Sequence, residues 1–171
     1  MVPFEGSDLS EAALAKAKLY AIALEEAPRS ITKELFAGDS PEIIVVSVIP
    51  ESEHYARGQG WIDQDEEFRP RAIAERFHRQ VTDIAPSANF QTIRVDKWAP
   101  PGTIASQLRK KAVDLGATDL FIGSENAGRI VTSISSVGSR VATDQKYDVH
   151  IIRKRLPPKV QKRIRSEFEL P

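Results

Sequence analysis

The chain has 171 residues, of which 41% are hydrophobic and 28% charged, with 24 basic and 24 acidic side chains and no cysteine. That length suits one soluble domain with a sizeable core. The lack of cysteine excludes disulfides, a thiolate nucleophile and thiolate-bound metal, and fits a reducing, cytoplasmic setting. No run approaches the ~20 apolar residues that cross a membrane, and the early charge and proline predict no signal peptide. Zero net charge conceals an asymmetry. Segment 153–165, RKRLPPKVQKRIR, holds seven basic residues and no acid, which leaves 17 basic against 24 acidic residues elsewhere. An acidic body with a basic tail is the sharper description.

Met1-Val-Pro-Phe4 is apolar and stops at Glu5-Gly6-Ser7, so a first strand ends at a glycine turn. Ser7 or Asp8 is placed to cap a helix over 9–26, and Asp8-x-x-Glu11 has the form of a capping box. Ile43-Ile-Val-Val-Ser-Val-Ile49 is a continuous β-branched run, the pattern of a strand buried on both faces. Residues 50–63 read as a loop containing Arg57-Gly-Gln-Gly60 and Trp61, a flexible lid or a plain connection. Tyr55 and Trp61 in that loop either stack on a base or anchor it to the core.

Phe68, Ile73, Phe77, Val81 and Ile84 recur at helical spacing, with Pro70 in the first turn. Phe90–Val95 alternates as a strand, Thr103 is placed to cap the next helix, and Gly116 to end it. Leu120-Phe-Ile122 predicts a fourth strand. Val131, Ile134, Val137 and Val141 predict a last helix, and 147–152 a last strand. Strands alternating with helices predict a parallel, doubly wound α/β sheet, whose ligands sit beyond the strand carboxyl ends. Glu5-Gly6, Val48 to Glu51 and Gly123-Ser124 are such ends and are expected to converge. Gly128-x9-Gly138-Ser139 follows the fourth strand and can present backbone N–H groups to an anion.

With these motifs the chain resembles the universal stress protein family over residues 1–155. Val2-Pro-Phe-Glu-Gly-Ser7 is similar to the family's opening V-P-x-D-G-S, and Val46–Pro50 to its second strand. Gly116–Ser124 is similar to its G-A-D-L-I-V-M-G-S strand, and Gly128-x9-Gly138-Ser139 to the later part of its ATP motif, G-x2-G-x9-G-[S/T]. The resemblance implies a Rossmann-like, five-stranded parallel sheet with helices on both faces, and a homodimer through the last strand, 147–152. It implies ATP, with Mg²⁺, as ligand of one branch of the family. Carried onto this sequence, the nucleotide site would comprise Pro3, Glu5, Val48, Gly123, Ser124, Gly128, Arg129, Gly138, Ser139 and Arg140. The implied role is that of a stress-response sensor or adaptor.

The sequence departs from the family at three points. Glu5 stands where the family has Asp. Four residues, Ser124–Ala127, separate Gly123 from Gly128 where the motif has two, and they bring in Glu125. The first strand, central in the family's order, starts abruptly at Met1, so core contacts and ladder bonds are expected to be lost there. The alternative reading is a family member that binds no nucleotide and works through an unidentified protein partner. Slow ATP hydrolysis is the most catalysis expected, with Glu5 and Glu125 in the region of a water-positioning base. No catalytic residue is assigned, since no G-x-S-x-G elbow and no Walker A lysine is present. His54, His78 and His150 are scattered and predict no metal site. Segment 156–171 is set apart as a basic tail. Its stripe Leu156, Val160, Ile164 and Phe168 predicts a short amphipathic helix docked on protein, and no aromatic residues interleave its charges for base stacking, so nucleic acid is not the expected partner.

Overall fold

A computed structural model describes residues 1–28, 30, 32, 40–98, 102–123, 147–160 and 163. Five strands and four helices lie along them. They are β1 (Val2–Pro3), α1 (Asp8–Glu26), β2 (Ile44–Pro50), α2 (Glu53–Gly58), α3 (Pro70–Ile84), β3 (Asn89–Val95), α4 (Thr103–Asp114), β4 (Asp119–Gly123) and β5 (Asp148–Ile152). All strand pairing is parallel. β1, β2 and β3 form one sheet in that order, and β4 and β5 form a second. The fold is α/β, as the strand-helix alternation predicts.

Two backbone hydrogen bonds join the sheets. The Met1 amino group donates to the Asp119 carbonyl (2.6 Å), and the Phe121 N–H donates to the Met1 carbonyl (3.0 Å). The next donor on that side of β1 would be Pro3, which has no N–H, and the ladder stops there. On its other side β1 continues, with the Phe4 N–H on the Val46 carbonyl at 2.9 Å. Ser47, fully buried in β2, adds its hydroxyl to the Phe4 carbonyl at 2.6 Å.

The sheet faces are covered by different helices. Val45 and Ile49 of β2 and Phe121 of β4 join Leu14 of α1 and Phe77 of α3 in one cluster. Val46 and Val48 pack with Leu108 of α4, and Leu120 and Ile122 with Ala105 and Ala112 of the same helix. The run of β-branched residues in β2 is therefore buried on both faces, as its composition requires.

The helix ends refine the sequence reading. Ser7 caps α1, its Oγ accepting from the Ser10 N–H (3.2 Å), and the Ser10 hydroxyl returns to the Ser7 carbonyl (2.9 Å). The expected Asp8–Glu11 box is thus replaced by a Ser7–Ser10 pair one residue earlier. The expected loop 50–63 contains α2, capped by Ser52. Phe68 lies outside α3, two residues before Pro70, where it can staple the entry to the helix. Thr103 does not cap α4. Gly102, at φ 93°, holds that place without a side-chain bond. Gly116 (φ 61°) does end α4, with its N–H on the Val113 carbonyl and that of Ala117 on the Ala112 carbonyl, a Schellman arrangement.

Candidate functional site

The carboxyl ends of β1, β2 and β4 open into a cleft of about 860 Å³. Pro3, Glu5, Val48 and Gly123 all line it, so four residues expected at the site are brought together. The other six, Ser124, Gly128, Arg129, Gly138, Ser139 and Arg140, lie outside the described residues, as does Glu125.

Each of the four has a local reason for its place. Pro3 is buried at the end of β1. Glu5 follows it, half-buried, and accepts a hydrogen bond from the Ser7 hydroxyl at 2.6 Å. Gly6 turns the chain with φ 80°, and a Cβ there would lie 2.5 Å from the Phe77 ring. Val48 is 8% exposed, with its side chain in the core. Gly123 closes β4 where α1 crosses it, and a Cβ there would lie 2.4 Å from the Leu9 carbonyl. Gly123 is therefore required for packing whatever binds in the cleft.

The roof of the cleft comes from α2 and the turn after it. Trp61 is 5% exposed and meets Tyr55 and Phe77 edge-on, both at 5.4 Å between ring centroids. It anchors the turn. Arg57 braces the same segment, pairing with Glu53 (2.7 Å) and donating to the Glu66 and Asp63 carbonyls. Burial first, and then the negative charge of Glu5, raises the pKa of the Tyr55 phenol. The phenol therefore stays protonated and available as a hydrogen-bond donor at neutral pH.

Among the polar residues of the wall that sequence reasoning did not assign to the site are Asp8, Arg76, Gln80 and Arg155. Arg76 donates to the Trp61 carbonyl, and Arg155 pairs with Asp8 at 2.9 Å. The Gln80 Oε1 is buried beside Gly6 with no hydrogen-bond partner among the described residues. Arg76 and Gln80 are one helical turn apart on the edge of the apolar stripe 73/77/81/84, a spacing legible in the sequence. Nothing in the sequence pointed to Arg155, which follows the last strand. The cleft thus carries carboxylates and guanidinium groups, an apolar floor and a phenol, a set able to hold a polar ligand with an apolar part.

A second cleft, about 750 Å³, lies at the opposite ends of the strands, between the second half of α1 and the start of β4. Tyr20, Asp119 and Phe121 line it, and His150 bonds Asp119 (2.9 Å) while stacking on Phe121 at 4.2 Å. His78 stacks on Phe90 at 5.2 Å. Both histidines are thus held on aromatic rings. No cluster of three or more metal-binding side chains occurs among the described residues. No helix among them is long and apolar enough to cross a membrane. No protein-family model matches the chain, and no curated protein matches it in sequence.

Proposed function

We propose that the chain is a cytoplasmic, universal stress protein-like sensor or adaptor that binds an adenine nucleotide, ATP with Mg²⁺, in the cleft at the strand carboxyl ends. The observation that carries this reading is the convergence of Glu5, Val48 and Gly123 on one cleft, at the place where open parallel sheets take ligands. In this reading β1 and β4 are neighbours in one five-stranded sheet of order β3-β2-β1-β4-β5. The two hydrogen bonds between Met1 and β4 support that order. The phosphates would lie toward Gly128, Gly138 and Ser139, and the copies would pair through β5. Calorimetry of the purified protein with millimolar ATP and Mg²⁺ is expected to register binding, and denaturing extracts to release adenine nucleotide. No heat and no released nucleotide would remove the reading.

One observation favours the alternative, a member acting through protein contact alone. The Glu5 carboxylate already holds the Ser7 hydroxyl, which caps α1. A structural duty of that kind accounts for Glu5 without a ligand. Glu5→Gln separates the two readings. It is expected to weaken ATP binding at unchanged stability if Glu5 meets the nucleotide, and to lower stability alone if it serves the cap.

A further inference from the structure

We propose that Arg155 is an anion-binding residue of the cleft, held by Asp8 until a phosphate-bearing ligand takes that carboxylate's place. The inference rests on the nucleotide reading above and extends it to a segment outside the motifs that led to it.

Arg155 lies three residues past β5, yet it lines the cleft together with residues of β1, β2 and β4. Its backbone is fixed nearby, because Leu156 packs against the main core cluster and Pro157-Pro158 restrict the chain beyond it. Its guanidinium meets Asp8 in the first turn of α1 (2.9 Å), and the two side chains are 68% and 55% exposed. A pair that open to water is weak, so exchanging Asp8 for another anion costs little. A phosphate offers more charge and a bidentate match to the guanidinium fork. The other arginine of the wall, Arg76, donates to the Trp61 carbonyl and is committed to the roof.

Arg155 belongs to the basic segment 153–165, so a ligand that takes it from Asp8 alters the charge balance where that segment begins. The ligand chemistry is a phosphate ester or polyphosphate.

The test uses the full chain, with ATP, adenosine and inorganic triphosphate as calorimetric probes. Arg155→Gln is expected to weaken ATP and triphosphate about tenfold, the scale of one charge-assisted hydrogen bond, and to leave adenosine unchanged. Asp8→Asn is expected to tighten ATP about two- to fivefold by releasing Arg155. In the Arg155→Gln background that gain should disappear, since the two residues act as a pair. Arg155→Lys should restore part of the binding. Equal ATP affinity in Arg155→Gln and the parent chain would overturn the proposal while leaving nucleotide binding standing. An undiminished Asp8→Asn gain in the double variant would also overturn it. Triphosphate binding that needs Arg155, with adenosine unbound, would support the anion contact and identify a free polyphosphate as the ligand. A parent chain that binds none of the three probes would remove both proposals.

Discussion

Glycines show at the residue scale how the cleft is held in shape. Gly123 has no room for a methyl group, because the Leu9 carbonyl lies 2.4 Å from where a Cβ would sit. The obstructing groups, the Leu9 carbonyl and the Ser10 nitrogen, are backbone, so relief requires α1 to move off β4. Gly123→Ala is expected to destabilise the fold by about 3 kcal/mol, the upper end of overpacking costs, as read by urea denaturation. Gly60 is the contrast. It has φ 68° but nothing within 4 Å, so Gly60→Ala should cost only ~1 kcal/mol of backbone strain. Tyrosine ionisation gives a second residue-scale prediction. Tyr20 and Tyr55 both have raised pKa values, chiefly through burial, with Asp119 and Asp148 adding at Tyr20 and Glu5 at Tyr55. The unfolded phenols ionise at about pH 10 while the folded ones still hold their protons, so stability falls as pH rises above that point. Tyr55→Phe is expected to flatten the decline, measured as denaturation midpoint against pH. Glu5→Gln should lower the Tyr55 midpoint in absorbance titration.

At the scale of elements, legibility in the sequence follows the strength of the local pattern. β2 was legible because five of its seven residues are apolar and β-branched at a stretch no helix end interrupts, and α3 because its stripe 73/77/81/84 repeats over about three turns. α2 was not. At six residues it is shorter than any window that reveals a period, and its buried face is Ala56 alone. It forms through its Ser52 cap and the Arg57 contacts, which depend on residues up to nine positions away. The α4 cap was misread because Thr103 is a common capping type, while the positive φ of Gly102 made glycine necessary one position earlier. For the site, strand ends could be named from hydrophobic runs, and Arg76 and Gln80 could be placed beside the α3 stripe, but what brings them to those strand ends is helix packing, and Arg155 enters by chain return, which leaves no local mark. The cap of α1 serves both stability and site. Ser7→Ala is expected to cost about 1 kcal/mol in thermal or chemical denaturation and to remove the hydroxyl from which Glu5 accepts.

On the scale of the whole molecule, charge and edges decide what the protein meets. The Arg155–Asp8 pair joins the basic tail to the acidic body, in keeping with a tail that docks on its own protein. Leu156 does turn inward, whereas Val160, next on the expected stripe, is 39% exposed. Ile164 and Phe168 lie outside the described residues. β5 pairs with β4 on one side, and its other edge has no strand partner among the described residues, with Ile151 41% exposed. A free parallel edge of this kind is normally covered. Sedimentation is expected to give a dimer mass at micromolar concentration, and Ile151→Lys to give monomers with unchanged circular dichroism. A parent chain that sediments as one copy would remove pairing through β5.

Pro3 divides this architecture in a way that motion should reveal. With no N–H at that position, the two sheets are zipped beside Met1 and left unfastened toward the cleft. A zip open at one end is a lever: a small rotation about Met1 widens the mouth while the far end stays shut. Native-state hydrogen exchange is expected to resolve two cooperative units, β1–β3 with α3 and β4–β5, opening at different free energies. Pro3→Ala supplies the missing donor opposite the Phe121 carbonyl, so it should merge the two units and make any ligand in the cleft slower to enter and slower to leave.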